Sequence, residues 1–295
     1  MRPAAPFRVN KPIHLMIGHM ADTQEDSFFA TVRTEGYFDV QLDTVQRFLA
    51  GREGPVVLVT SGGTIVPLER QMVRFLDNFS AGTRGAISAE YHLHHTHLKM
   101  VPTERRLCHL SASTIQSAAL CSSLPTRRRI GPGHYRHERK MLVSVHFYTV
   151  ADYLYLLQRI GQMLAPLGRN AMLYLAAAVS DFYLPESQLS DEGTLTLRLE
   201  PVPKVIRPLV KIWCPDAFIV SFKLETDAAL LMDKARAALQ RYQHHCVLAN
   251  VLTERRHHIT IVRRADPDIE IRSENGEIEQ ILIDRLLTLF AQHRQ

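Results

Sequence analysis

The stretch Pro55-Val56-Val57-Leu58-Val59-Thr60-Ser61-Gly62-Gly63-Thr64 is apolar and largely β-branched through Val59, then breaks into Ser-Gly-Gly-Thr. It lacks period-two alternation, which is the pattern of a strand covered on both faces within a parallel sheet. Beyond a long loop, Gly85 to His94 reads as a helix. Strand, glycine turn, loop and helix in that order open a βαβ layout, and the expectation is a doubly wound α/β sheet.

Working outward, Ala171 to Val179 forms a second buried strand ending at Ser180-Asp181, and Val150 to Leu167 supplies the helix before it. Further strands are expected at Ala217–Phe222, Cys246–Asn250 and Ile259–Val262, with helices at Thr226–Tyr242 and Ile278–His293 and a turn at Asn275-Gly276. Residues 22–51 carry apolar side chains at mainly helical spacing, interrupted near Gly36, and read as a helical lead-in. Residues 96–141 differ: Arg105, Arg106, Arg127, Arg128, Arg129, Arg136, Arg139 and Lys140 outnumber the acids there, and Gly131-Pro132-Gly133 breaks any element. This segment reads as a surface excursion with a solvated basic face. With 295 residues, 46% of them hydrophobic, the chain can bury a large core, and a single domain over 1–295 is expected.

The formal charge of +5 admits nucleic acid, an anionic membrane surface or small polyanionic substrates as partners. The basic segment has few aromatics and no recognised nucleic-acid motif, and no run of about 18 apolar residues occurs, so neither nucleic acid nor membrane is expected. Cys108, Cys121, Cys214 and Cys246 are widely spaced and form no Cys-x-x-Cys pair, consistent with reduced thiols in a cytoplasmic protein. The cluster His92-x-His94-His95-x-His97 lacks a carboxylate or Cys at ligand spacing, so no protein-held metal is expected.

In open parallel sheets, ligands bind outside the carboxyl ends of strands, where loops gather and helix N-termini present unpaired N–H groups. Gly62 and Gly63 at the first strand's end would let the backbone approach a phosphate closely, or form an ordinary tight turn. Ser80-Ala81-Gly82-Thr83-Arg84-Gly85 precedes a helix and could present N–H groups to phosphate oxygens. Asn78 before it is a neutral amide able to donate to a developing oxyanion, or a turn former; flanking Phe75, Leu76 and Phe79 are expected to anchor its loop. Asp181 could meet a ribose hydroxyl, a substrate amine or Mg2+ through water. Phe222 and Lys223 put an aromatic ring and a cation at another strand's mouth, suited to a base and a phosphate, and Asn250 could read a base edge.

Read in order, Val59 to Glu69, Val73 to Gly85, Ala176-Ala177-Ala178-Val179-Ser180-Asp181-Phe182-Tyr183, Ser221 to Thr226 and Val247 to Asn250 resemble the signature blocks of eukaryotic, monofunctional phosphopantothenoylcysteine synthetases. The resemblance spans most of 28–287 and implies a Rossmann-like fold and a ligase of coenzyme A biosynthesis. In it, 4′-phosphopantothenate attacks a nucleoside triphosphate, ATP or CTP with Mg2+, to give an acyl-nucleotide that L-cysteine converts to an amide. It further implies that Gly62, Ser80, Gly82 and Gly85 line the phosphates and that Ala177, Ala178 and Asp181 lie beside the acyl-nucleotide. Phe222 and Asn250 would hold the base, Asn78 would contact the activated acyl group, and the protein would be a homodimer whose active site draws on both subunits. One departure is visible: the segment 184–194, where the family carries a mobile flap with a Lys, has none, so Arg198, Lys204 or a basic-segment Arg would have to substitute. The alternative is a catalytically impaired nucleotide-binding paralogue acting as a partner subunit. A dinucleotide oxidoreductase is disfavoured by the absence of Gly-x-Gly-x-x-Gly after Val59.

Overall fold

A computed structural model describes residues 28–29, 36, 38–51, 54–69, 72–94, 106–112, 142–185, 197–274 and 278–295, the segment 106–112 by its backbone only. In chain order the elements are α1 (Asp39–Leu49), β1 (Val56–Ser61), β2 (Ile65–Pro67), β3 (Phe75–Asp77), α2 (Thr83–His94), β4 (Arg106–Ala112) and β5 (Leu142–Phe147). They continue with α3 (Val150–Leu164), β6 (Ala171–Leu175), β7 (Phe182–Tyr183), β8 (Glu200–Pro201), β9 (Phe218–Glu225) and α4 (Ala228–Tyr242). The chain closes with β10 (Cys246–Val251), β11 (His258–Arg263), β12 (Ile269–Arg272) and α5 (Ile278–Arg294).

Eight strands form one sheet in the order β12-β11-β10-β9-β6-β1-β4-β5. From β5 to β10 all neighbours are parallel, and β11 and β12 extend the sheet antiparallel at one edge. The winding reverses at the centre: β1 leads to β4 and β5 on one side, while β6 leads to β9 and β10 on the other. This is the expected mostly parallel, doubly wound sheet, and its topological switch point lies between the carboxyl ends of β1 and β6.

Unbroken apolar strands follow from cores on both faces. Val56 and Leu58 join α1 and α3 on one side through Leu42, Val45, Phe48, Leu154, Leu157 and Ile160. Val57 and Val59 join α2 and α5 on the other, with Ala89, Leu93, Leu282, Leu286 and Phe290. Each fully buried aliphatic side chain there contributes about 1.5–3 kcal/mol over its exposed state. α3 starts sharply because Thr149 and Asp152 cap reciprocally: the Asp152 N–H donates to the Thr149 Oγ1 (3.0 Å) and the Thr149 N–H to the Asp152 carboxylate (2.9 Å).

Two sequence expectations require correction. Arg106–Ala112, assigned to the basic surface excursion, is a parallel strand between β1 and β5. Its flanking arginines masked a short run that only sheet pairing makes a strand; the rest of 96–141 lies outside the described residues. β5 was missed as well, because it is a half-covered edge strand with Val143, Val145 and Phe147 inward and polar residues between them. The turn at Asn275-Gly276 and much of the lead-in 22–51 also lie outside the described residues.

Candidate functional site

At the switch point the ends of β1 and β6 are stitched together. Past Ser61, Gly62 adopts φ of 91°, a left-handed conformation that glycine takes without strain. The Ala178 N–H donates to the Gly62 carbonyl (2.8 Å) and the Thr64 N–H to the Ala178 carbonyl (3.1 Å). Two buried threonine hydroxyls add side-chain bonds: Thr60 accepts from the Ala177 N–H (3.1 Å) and Thr64 from the Ser180 N–H (3.0 Å). Gly62, Ala177 and Ala178, expected from sequence to share a site, are thus brought together.

The Asn78–Gly85 segment is laid across this junction. The Asn78 N–H donates to the Thr64 carbonyl (3.0 Å), and a Cβ on Gly63 would stand 1.9 Å from the Asn78 carbonyl oxygen. The Ser61 hydroxyl donates to the Gly82 carbonyl (2.8 Å), and a Cβ on Gly85 would stand 2.5 Å from the Ser61 Cβ. Ser80 Oγ accepts from the Gly82 N–H at 3.3 Å. The glycines are therefore contact surfaces, letting the first turn of α2 lie directly on the end of β1. A helix N-terminus held against a glycine turn favours anionic ligands through its free N–H groups and dipole.

Phe75, Leu76 and Phe79 do not anchor the Asn78 loop as expected. Phe75 and Leu76 lie on an antiparallel hairpin of β2 and β3 and Phe79 just beyond it, and all three are exposed, Phe79 at 78%. Backbone bonds hold the loop instead, together with the Arg74–Glu69 ion pair (3.1 Å) near the hairpin tip.

Asp181 emerges beyond the junction with its carboxylate in solvent, 2.9 Å from the Lys204 ammonium. The pair forms because β7 and β8 make a small antiparallel ribbon and the Val202 N–H donates to the Asp181 carbonyl (2.9 Å), returning the chain past the Lys-free segment. Of that segment only Leu184 and Pro185 are described.

Phe222 stands on β9 with its ring edge-on to Tyr174 (centroids 5.1 Å apart), and the Tyr174 hydroxyl lies 3.0 Å from Ser88 of α2. Asn250, buried at the end of β10, is in register with Leu224, two residues beyond Phe222 and on the same sheet face. Lys223 is not on that face. Side chains alternate along a strand, so it sits beside Ala249 toward α4, 3.1 Å from Glu225, whose other oxygen meets Lys234 at 2.8 Å. Those hydrogen bonds to Lys234 and Lys223 hold the Glu225 carboxyl below its ordinary range.

Sequence reasoning missed Thr60, Thr64 and Arg84 as members of this constellation. Arg84, in the first turn of α2, donates to the Arg255 carbonyl in the turn after β10 and lies 3.6 Å from the buried Glu279 of α5. Burial raises the Glu279 carboxyl and the Arg84 charge opposes that rise. A polar residue inside a glycine turn was the available signal for Thr64; Arg84 gave none, because its partners lie far along the chain. No group of three His, Cys, Asp or Glu side chains among the described residues could hold a metal. His92 packs edge-on to Tyr174 (5.9 Å), and the remaining rings of the histidine cluster lie outside the described residues.

Residues 141–283 match the family model of the DNA/pantothenate metabolism flavoprotein C-terminal domain. The chain is similar to the phosphopantothenate–cysteine ligase of Homo sapiens, 43% identical over 279 residues covering 83% of this chain and 90% of that protein. It is similar also to phosphopantothenate–cysteine ligase CAB2 of Saccharomyces cerevisiae, 33% identical over 314 residues covering 90% and 85% respectively. A solved Cab2 variant in complex with phosphopantothenate-cysteine superposes with a TM-score of 0.78 at 32% identity, covering 91% of this chain and 98% of that one.

Proposed function

The chain belongs to the phosphopantothenate–cysteine ligase family, and from that premise we propose that it joins 4′-phosphopantothenate to L-cysteine through an acyl-nucleotide. The observation that carries this reading is the stitched junction of β1 and β6, where Ala177 and Ala178 are bonded to Thr60 and Gly62 and the Asn78–Gly85 turn is bonded to Ser61 and Thr64. The test is pyrophosphate release by the purified chain with ATP or CTP. Release that requires 4′-phosphopantothenate, followed by amide only when L-cysteine is added, is expected; no release with any nucleotide overturns the reading. Acyl-nucleotide that accumulates without amide would support instead the impaired-paralogue alternative raised by the Lys-free segment 184–194.

A carboxylate is a poor electrophile without a competent leaving group, and nucleotidylation remedies both. The substrate carboxylate oxygen attacks the α-phosphorus and pyrophosphate departs with the bonding pair. The cysteine amine then attacks the acyl carbon, and nucleoside monophosphate leaves as the amine gives up a proton. The protein's part is positioning and charge stabilisation. In this reading Gly62, Ser80, Gly82, Gly85 and the first N–H groups of α2 cradle the phosphates. Ala177, Ala178 and Asp181 flank the acyl-nucleotide, Asn78 donates to its acyl oxygen, and Phe222 and Asn250 hold the base. Lys204 is the cation that replaces the missing flap lysine, exchanging Asp181 for a phosphate oxygen. Lys223 is assigned no phosphate, because Glu225 already engages it on the other sheet face. Burial pushes the thiols of Cys214 and Cys246 up to about 12, so neither offers a thiolate for covalent catalysis.

Mg2+ fits the site as a companion of the nucleotide. Asp181, a solvated carboxylate at the junction, would hold it through water, and Mg2+ would supply charge neutralisation at the phosphates. A homodimer is supported by the exposed apolar side chains of Val73, Phe75, Leu76 and Phe79 on and beside the β2–β3 hairpin, close to Asn78 in the chain. A second copy covering them would stand at the active site. A cytoplasmic location accords with the buried free thiols of Cys214 and Cys246. Among the described residues, no helix is long and apolar enough to cross a membrane.

A further inference from the structure

We infer that Thr64 is a positioning residue of this reaction, its side-chain hydroxyl setting the Asp181 turn against the Asn78 loop; the inference rests on the function proposed above. Thr64 is fully buried and makes three bonds, one to the Asn78 loop and two to the chain leaving β6. Its carbonyl accepts from the Asn78 N–H (3.0 Å), and its N–H donates to the Ala178 carbonyl (3.1 Å). Its hydroxyl accepts from the Ser180 N–H (3.0 Å). The first two bonds are backbone bonds that any residue could make. The third belongs to the side chain and is the bond adjoining Asp181.

The Asp181 carboxylate is solvated and its partner is the mobile-stemmed Lys204, so the main chain decides where it points. Around it the chain folds into a small closed unit: the Ser180 hydroxyl donates to the Phe182 carbonyl (2.7 Å) and accepts from the Phe182 N–H (3.3 Å). That unit is tied on one side by the Val202 N–H to the Asp181 carbonyl and on the other by the Thr64 hydroxyl. Without the hydroxyl, the Ser180 N–H is left unpaired against a buried wall and the unit must turn or shift to find water. Displacement by about 1 Å at a reacting centre costs on the order of 100-fold in rate, whereas binding through remote contacts survives it.

The test compares wild type, Thr64→Val and Thr64→Ser in steady-state amide formation, with nucleotide, 4′-phosphopantothenate and L-cysteine varied in turn. Valine keeps the shape and deletes the hydroxyl; serine keeps the hydroxyl and deletes a methyl. Thr64→Val is expected to lower kcat by about 10- to 100-fold with the KM for nucleotide within about threefold, and Thr64→Ser to retain kcat within about threefold of wild type. A kcat within twofold of wild type in Thr64→Val overturns the inference. So does an equal loss in Thr64→Ser, which would make the role one of packing. If Thr64→Val fails to fold, Thr64→Ser against Thr64→Ala, which differ by the hydroxyl alone, give the same decision. Wild type is the internal control: no amide from it refutes the proposed function, whereas amide from wild type and Thr64→Val alike refutes the inference alone.

Discussion

Asn78 sits at the start of the turn laid on β1, its main chain fixed by Thr64 and its amide side chain half-buried. Asn78→Ala should cut kcat by roughly 100- to 1000-fold, the cost of one preorganised donor to a developing oxyanion, while nucleotide binding measured by calorimetry is retained. An unchanged kcat would remove Asn78 from the mechanism. Lys204→Ala should likewise lower kcat, by about tenfold or more, with Lys204→Arg intermediate. Stability should change by less than about 0.5 kcal/mol in urea titration, because the ion pair it gives up lies in solvent. The meeting of Gly62 and Gly82 was legible in the sequence, because a glycine turn after a buried strand and a glycine at a helix start both belong to the carboxyl end of a parallel sheet, although an ordinary turn fitted each as well. Thr64 and Arg84 were not: what they do depends on Ser180, Arg255 and Glu279, whose proximity is created by the fold.

At the scale of elements, apolar strands and amphipathic helices declared themselves by period, and β1, β6, β9, β10, α3, α4 and α5 lie close to where the pattern puts them. β4 did not, because Arg105 and Arg106 lead into a run whose strand character comes from hydrogen bonding between β1 and β5. The hairpin of β2 and β3 was misread for a related reason. Phe75, Leu76 and Phe79 look apolar enough to anchor a loop, yet a two-stranded ribbon leaving the sheet leaves the first two exposed, and Phe79 just past it is exposed as well. The start of α3 is a simple point of test: Thr149→Ala removes one half of the capping box and should cost about 1 kcal/mol, read in calorimetry as a fall of about 2–4 °C in Tm.

For the whole molecule, the buried His244 and the half-buried His245 tie stability to pH. Burial pushes His244 and His245 from 6.5 down to about 4, with the neighbouring His293 and Arg264 adding to the effect on His245. The unfolded chain takes up protons as pH falls through 6.5, and the folded chain does so only near 4. Their contribution is therefore full above 6.5, declines between 6.5 and 4, and amounts to at most about 3 kcal/mol each. Urea midpoints should fall across that window, and His245→Gln should flatten the slope between pH 6.5 and 5. Assembly is tested at the hairpin: sedimentation should give a dimer for the wild type and a monomer for Phe79→Asp. The bonds from Thr60 and Thr64 to the β6 exit link residues 117 and 116 positions apart. During synthesis, then, everything through α3 can leave the ribosome and begin to pack while the chain still has no place for a nucleotide. The proposed nucleotide site is completed late, first as β6 docks beside β1 and finally as β9 and β10 bring Phe222 and Asn250 into place. Nucleotide bound at that moment selects chains that have completed the sheet, and its withdrawal leaves newly made protein exposed longest at this seam.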